Sequence, residues 1–239
     1  AGKARLVVVF DGEGDVFGEA VMARVVAAHH ALQLGEFAHH VGQQVGLGQL
    51  GGGVGRLRQR GPAQLLANGA GDGAHAFLTS PGAAKWYRAN GHVSGQHIVL
   101  RAGAGAAIEW LPQESIFFDQ ACVRLHHEVE LAADAGYIGC DVVCLGRSAS
   151  GETFNEGSIS QQVRIRRGGR LLWCEQGVLA AGGALMASPL GLGGHTVCAT
   201  LIAVGTPVSA SVLAALREIQ VPAGAAFGAT HMKALVVVR

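Results

Sequence analysis

Three carboxylates in a short stretch of this chain have side chains that could form a reactive or binding site. Glu109, Glu114 and Asp119 lie around a Trp-Leu-Pro corner in the run AAIEWLPQESIFFDQA, residues 106–121. Carboxylates can act as general acid and base, hold a cation, or contact another protein. Acid–base catalysis also requires a cleft and shifted pKa values, which a sequence does not display, and loop acids are often simply solvated. The residues alone therefore leave catalysis, metal binding, protein contact and solvation open.

No intact nucleophile motif accompanies these acids. The run GRSASGE, residues 146–152, is close to the G-x-S-x-G elbow of hydrolases, but Ser150 stands where the strained turn requires glycine. His195 and Cys198 are three positions apart, so on a strand they would point to opposite faces. A hydrolase with a dispersed Cys/His or carboxylate site stays open as an alternative, because catalytic groups can assemble from distant segments.

Two patterns near the start of the chain are weak. Gly46, Gly48 and Gly51 have the G-x-G-x-x-G spacing of dinucleotide sites, but the buried strand that this motif requires does not precede them. The pairs His29–His30 and His39–His40 suggest a metal site. On a helix, however, the two pairs would lie about 16 Å apart, too far for one ion to bridge. We interpret the glycine spacing as chance and the histidine pairs as chance or as solvated side chains.

Composition and charge argue against two classes of protein. The formal net charge is +1 and only 15% of the residues are charged, so the basic excess of a nucleic-acid surface is absent. No apolar run approaches the ~20 residues of a membrane span and no leader peptide opens the chain, so we expect no membrane segment. The five cysteines are irregularly spaced, which indicates a reduced, cytoplasmic protein.

From about residue 76 onward, the sequence predicts short strands separated by turns. The alternation of Val123, Leu125, His127, Val129 and Leu131 with polar residues is typical of a half-buried strand. The predicted strands are 97–102, 106–110, 115–118, 121–131, 137–146, 158–166, 170–176, 196–204 and 232–239, with a two-residue hairpin turn at Gly168–Gly169 and with Cys140 and Cys144 in the core. One helix is predicted over SASVLAALREIQ, with a serine cap and a stop at Pro222. The pattern predicts a β-rich protein with little helix.

Residues 11–73 differ from the rest of the chain in amino-acid composition. They contain no Ser, Thr, Ile, Lys, Tyr, Trp or Cys, although serine and lysine are common in ordinary domains and strands favour isoleucine, threonine and tyrosine. Translation of a GC-rich gene in a shifted reading frame would produce this bias. A diverged Gly-rich domain, a helical insertion and a disordered segment are the alternatives.

Four blocks of the chain resemble, in their order and spacing, the UreD family of urease accessory proteins, also called UreH. The blocks are FLTSPGAAKWYR (77–88), IEWLPQESIFFDQA (108–121), CLGRSASGETFNEG (144–157) and GALMASPLGLGGHTVCATLIAVG (183–205). The resemblance runs from about residue 74 to the end, and ARLVVVF (4–10) is similar to the family's first strand. It implies a mainly β fold: one domain over residues 1–239, built as a β-helix-like scaffold of stacked strands with one or two helices.

The chain departs from the family pattern in two places. Residues 11–73 lack the family's Tyr-Pro-Glu element, Cys-His pair and Pro-Pro-Gly-Gly…Gly-Gly-Asp run. The chain also stops at Arg239, where the family continues with a further strand and a helical stretch. We therefore expect a truncated C-terminal end. A degenerate product that no longer folds is a further alternative, beside a family member and a hydrolase.

The resemblance also implies a role. Proteins of this family are not enzymes; they act with a UreF-type helical partner and a UreG-type GTPase on apo-urease, so that nickel reaches its active site through a polar internal passage. No cofactor is then tightly bound, and nickel is a transient cargo. Candidate residues for partner docking are Lys85, Trp86, Tyr87, Arg88, Glu109, Gln113, Glu114, Asp119 and Arg147, and Glu152 and His195 are candidates for transient nickel contact.

Overall fold

The structure, a computed structural model, describes residues 58–60, 63–80, 82–205, 208–232 and 234–239. The glycine and histidine patterns of residues 29–51, the opening run 4–10 and most of the compositionally unusual segment 11–73 lie outside the described residues. The reading-frame interpretation therefore stays a prediction.

The described residues form a mainly β fold. In chain order, its elements are β1 (Arg58–Arg60), β2 (Ala63–Ala70), β3 (His75–Leu78), β4 (Ala84–Trp86), β5 (Ser94–Ala102), β6 (Ala107–Trp110), β7 (Ser115–Phe117), β8 (Cys122–Leu131), β9 (Gly136–Leu145), β10 (Ser158–Arg167), β11 (Arg170–Ala180), α1 (Ala184–Ala187), β12 (Val197–Val204), α2 (Ala210–Arg217), β13 (Ala229–Met232) and β14 (Leu235–Val238). The predicted fold class, a scaffold of stacked strands with one or two helices, is confirmed.

The strands stack as successive coils between two sheets. The first sheet has the order β1-β2-β5-β8-β10-β11, and the path β13-β14-β12-β9-β6-β3 forms the second. Neighbours in β2-β5-β8-β10 and in β3-β6-β9 are parallel, so the chain alternates between the sheets and returns one strand further along each time. The short strands β4 and β7 join the second sheet through β9.

Aspartate side chains hydrogen-bond the turns between the two sheets to one another. Asp72 Oδ1 accepts a hydrogen bond from the N–H of Ala104 at 2.8 Å, and Asp134 Oδ1 accepts one from the N–H of Gly105 at 2.9 Å. Each bond joins a turn to its neighbour in the next coil. The unusual segment thus ends in an ordinary part of the fold, since β2 and Asp72 both belong to the first coil.

The alternation predicted for the strand at 121–131 is confirmed in β8. Val123, His127, Val129 and Leu131 are buried, whereas Arg124 on the other face is exposed. Val123 belongs to a separate cluster, whereas Val129 and Leu131 pack between the sheets with apolar residues such as Ile202 and Val237 of the second sheet. This layer is the main core of the molecule.

The opposite face of the second sheet carries a second core. Cys140 and Cys144 are buried there, as predicted, and Leu216 of α2 covers them with neighbouring apolar residues. Ser209 caps α2 by accepting a hydrogen bond from the N–H of Val212 at 3.3 Å, which confirms the predicted serine cap. Among the described helices, none is long and apolar enough to cross a membrane.

The turn chemistry was predicted correctly at one hairpin and missed at another. Gly168 and Gly169 have φ values of 55° and 75° and connect β10 to β11, with Arg167 opposite Arg170. The segment predicted as one strand, 232–239, is instead the end of β13, a turn, and β14. The prediction was wrong because the turn that pairs Met232 with Leu235 contains no glycine or proline to mark it in the sequence.

Candidate functional site

Aromatic and charged side chains from three segments meet around Phe118. We call Tyr87, Phe118, Asp119, Arg147 and Glu152 the Phe118 surface. The Tyr87 ring meets the Phe118 ring edge-on, with 4.7 Å between centroids, and the Arg147 guanidinium carbon lies 4.6 Å from the centre of the Phe118 ring. Tyr87 is 63% exposed. The structure therefore brings together three of the predicted docking residues and one predicted nickel contact.

Strand pairing explains how Tyr87 reaches Phe118. β4 and β7 run parallel, with Trp86 opposite Phe117, and the N–H of Phe118 donates a hydrogen bond to the carbonyl of Trp86 at 3.0 Å. The Trp86 and Phe117 rings stack with 6.0 Å between centroids, and Phe117 is fully buried. Trp86 thus supports the surface from below, while Lys85 and Arg88 on either side of it are exposed.

Arg147 and Glu152 form the charged rim of the Phe118 surface. The Arg147 Nε donates a hydrogen bond to Glu152 Oε2, and the backbones of the two residues pair as an isolated bridge. Glu152 Oε1 also accepts a hydrogen bond from the N–H of Asp119 at 3.3 Å. Both oxygens of the Glu152 carboxylate are therefore engaged by protein groups, and the ion pair orients Arg147 above Phe118.

Asp119 organises the loop that follows. Its Oδ1 accepts hydrogen bonds from the N–H groups of Glu156 at 2.9 Å and Asn155 at 2.8 Å. These backbone hydrogen bonds hold the pKa of the Asp119 carboxyl below its ordinary value, and the bond from Glu156 has the largest effect. The positive charge of Arg88 lowers the pKa by a smaller amount. The role that the structure gives Asp119 is that of an anion holding two backbone donors.

The other docking candidates, Glu109, Gln113 and Glu114, and the nickel candidate His195 lie elsewhere. Glu109 is 4% exposed and its Oε1 lies 2.6 Å from His75 Nε2, within the second sheet. Gln113 and Glu114 are half-buried in the connection between β6 and β7, where the N–H of Gln113 donates to Ser80 Oγ. His195 is exposed in the turn before β12.

The surroundings of the candidate nucleophiles do not favour catalysis. Residues 148–150 of the GRSASGE run form an exposed 3-10 turn, and Gly151 ends it with φ 71°. Burial raises the pKa of the Cys198 thiol, which disfavours the reactive thiolate. Neither feature supports the hydrolase alternative.

A polar cavity lies between the two sheets. Its lining includes the side chains of His127, Asp141, Gln161, Glu175 and Thr200, from five different strands. His127 is 6% exposed, and neither of its ring nitrogens makes a hydrogen bond with the described residues. Asp141 Oδ2 lies 3.9 Å from His127 Nδ1. A buried imidazole without a hydrogen-bond partner is costly, so it marks a candidate binding position.

Tyr137 closes one side of this cavity. The ring of Tyr137 lies so close to Gly139 that a side chain there would come within 1.8 Å of the Tyr137 hydroxyl. Burial, with the nearby Asp141 carboxylate as a smaller cause, raises the pKa of the Tyr137 hydroxyl well above its ordinary value, so the phenol is neutral. The sequence predicted His127 as an inward-facing residue, but the approach of Asp141 depends on packing between sheets and was missed.

Comparison with known proteins places this chain in a family. The model of the family described as "UreD urease accessory protein" matches residues 61–239, starting earlier than the resemblance from about residue 74. A urease accessory protein UreD of Janthinobacterium sp. (strain Marseille) is 58% identical over 171 residues, which cover 71% of this chain and 58% of the relative. Those of Nitrosospira multiformis and Azoarcus sp. (strain BH72) are each 46% identical, over 172 and 169 residues that cover 71% of this chain and 62% and 59% of the relatives.

The matched part thus spans about three fifths of the length of these curated relatives. The family match includes every strand from β2 to β14, and both the Phe118 surface and the polar cavity lie within it. The chain belongs to the UreD family of urease accessory proteins.

Proposed function

We propose that this chain is an accessory scaffold in the maturation of urease. The observation that carries the proposal is the family match over residues 61–239, which includes the stacked coils and both candidate sites. In this role the chain binds a UreF-type partner and a UreG-type GTPase, and the complex docks on apo-urease in the cytoplasm. Nickel is a transient cargo and no cofactor is tightly bound. The chain is not an enzyme in its own right, in keeping with relatives that are named accessory proteins.

The Phe118 surface supports the docking part of this proposal. Protein interfaces commonly centre on tyrosine and arginine side chains, which combine a large contact area with hydrogen bonding. Tyr87 offers such an anchor, because its ring is mostly exposed and is held in place by Phe118. Arg147 is held by Glu152, so less side-chain entropy is lost when a partner binds. Lys85 and Arg88 extend the positive charge beside Tyr87.

Replacing Tyr87 tests the docking surface. Tyr87→Ala should weaken binding of the UreF-type partner about tenfold or more, because truncating an aromatic anchor typically costs 1–2 kcal/mol or more. Isothermal titration calorimetry with the purified partner measures this. The matched control is Val178→Ala, since Val178 is similarly exposed, at 60%, but lies on the edge strand β11. Equal affinities of the two variants would contradict docking through the Phe118 surface.

The polar cavity supports the nickel part of the proposal. An imidazole and a carboxylate are suitable ligands for Ni²⁺, and so small a set binds the ion weakly enough to release it. His127 and Asp141 provide this pair inside the fold, where His127 has unused ring nitrogens. Transient contacts at Glu152 and His195 stay predictions, although the carboxylate of Glu152 is engaged by Arg147 and the N–H of Asp119.

A further inference from the structure

Three side chains with metal-binding atoms meet on the outer face of the first sheet. His97 lies on β5, and His126 and Glu128 lie on β8. Parallel pairing places His97 directly opposite His126, and Glu128 follows two residues later on the same face. One ligand atom from each of the three lies within 4.8 Å of the other two. The alternation along this strand places His126 and Glu128 on its polar face but does not bring His97 to them.

The distances are close to those of a metal site. His97 Nε2 lies 3.7 Å from Glu128 Oε2, and the His97 and His126 ring centroids are 5.4 Å apart. Ligand atoms bound to a tetrahedral ion at 2.0–2.2 Å lie about 3.4 Å from one another. Small rotations of partly exposed side chains therefore suffice to close the set around one ion.

His97 supplies a second, independent observation. Its Nε2 is shielded from solvent and makes no hydrogen bond with the described residues, although the ring as a whole is 41% exposed. A shielded polar atom without a partner costs free energy. An ion held between this nitrogen and Glu128 would remove that cost.

The neighbouring charges leave Glu128 available to a cation. Arg166 pairs with Glu130 at 3.6 Å, so that acid is already partnered. Arg164 lies opposite Glu128 on β10 and Arg101 lies opposite Glu130 on β5. Among the described residues, however, no arginine or lysine nitrogen lies within 4 Å of the Glu128 carboxylate, whose ion-pair partner is His97.

We propose that His97, His126 and Glu128 bind one divalent transition-metal ion of the zinc and nickel class. Two imidazoles and one carboxylate suit these ions, and water completes the coordination. The three side chains are on the opposite face of the first sheet from His127 and the polar cavity, because neighbouring residues of a strand alternate. The site therefore does not rest on the proposed role in urease maturation.

Metal titration of matched variants tests this site. The chain has 11 histidines, so total binding alone is not informative. We expect His126→Ala and Glu128→Gln each to lose one equivalent of Zn²⁺ or Ni²⁺, or to bind it at least about tenfold more weakly, in calorimetric titrations with each metal chloride. His231→Ala and Glu130→Gln are the matched controls, since His231 is exposed elsewhere and Glu130 is already paired with Arg166. Both controls should bind as the unmodified chain does.

A Co²⁺ titration adds a spectroscopic readout. The visible absorption of bound Co²⁺ should change in His126→Ala and Glu128→Gln but not in the controls. Equal stoichiometry and affinity in His126→Ala and His231→Ala would overturn the proposal. Absence of ion binding by the wild-type chain would also overturn the proposal. The contact between His97 and Glu128 would then be an ion pair only. Glu128→Gln preserves shape, so its circular dichroism should match the wild type and separate loss of a ligand from loss of folding.

Discussion

Asp119 holds together one side of the Phe118 surface through two backbone hydrogen bonds. Its carboxylate accepts from the N–H groups of Glu156 and Asn155, and the N–H of Asp119 itself donates to Glu152. At the scale of single residues, the geometry of the Phe118 surface thus depends on the hydrogen bonds of one acid. The three acids grouped by the sequence have separate surroundings, since Glu109 is buried and Glu114 is half-buried in a connection.

The lowered pKa of Asp119 predicts a specific pH dependence. The stabilisation is fully present above the ordinary carboxyl pKa of 3.8 and is lost as the pH falls through the lower folded-state pKa. Asp119→Asn should therefore lower the free energy of unfolding at pH 7, and this deficit should shrink as the pH falls below 3.8. Urea unfolding of both proteins from neutral to acidic pH measures the difference.

High salt provides the control for this experiment. The bonds from Asn155 and Glu156 are direct, so added salt should leave most of the deficit at pH 7 in place. A deficit that stays constant at all pH values would contradict a charged carboxylate as its cause.

Some residues of the candidate sites follow from the sequence and others do not. The alternation of β8 identifies His127 as inward-facing and His126 as outward-facing. Their partners, Asp141 and His97, are on other strands. Finding them requires the register between strands, which is set by the turns and by packing rather than by local pattern. Part of the Phe118 surface was predicted from the sequence. Its residues fall within three of the family-like blocks, 77–88, 108–121 and 144–157.

At the scale of elements, the turn and helix-cap residues predicted the structure best. Two glycines with positive φ produce the β10–β11 hairpin, as a two-residue turn requires. The turn between β13 and β14 has no such glycine pair and directly precedes the apolar run Leu235–Val238. Hydrophobic pattern alone therefore fused two strands into one.

The cap of α2 gives a quantitative prediction at this scale. Ser209→Ala should lower the free energy of unfolding by about 1 kcal/mol, because the N–H of Val212 loses its acceptor at the start of the helix. Ser211→Ala is the matched control: it removes the hydroxyl that lies 2.9 Å from Ser209 Oγ, but the N–H of Val212 keeps its acceptor, so we expect a smaller loss. Chemical denaturation monitored by circular dichroism measures both. Equal effects of the two substitutions would contradict the capping role of Ser209.

At the scale of the whole molecule, the stacked coils explain why distant segments build one surface. Parallel pairing of β4 with β7, and of β7 with β9, brings Tyr87, Phe118 and Arg147 to neighbouring strand ends. The same stacking leaves a polar cavity between the sheets and places His97 beside His126 on the outer face. A scaffold of this kind can present separate sites to different partners without moving its core.

Activation of apo-urease is the measurement that tests the central claim most directly. Apo-urease would be incubated with nickel, GTP and the UreF-type and UreG-type proteins, with and without this chain, and urea hydrolysis would be followed. We predict that activity rises when the chain is present, that Tyr87→Ala reduces the gain, and that Val178→Ala retains it, because only Tyr87 belongs to the Phe118 surface. Equal activity with and without the folded chain would contradict a role in urease maturation.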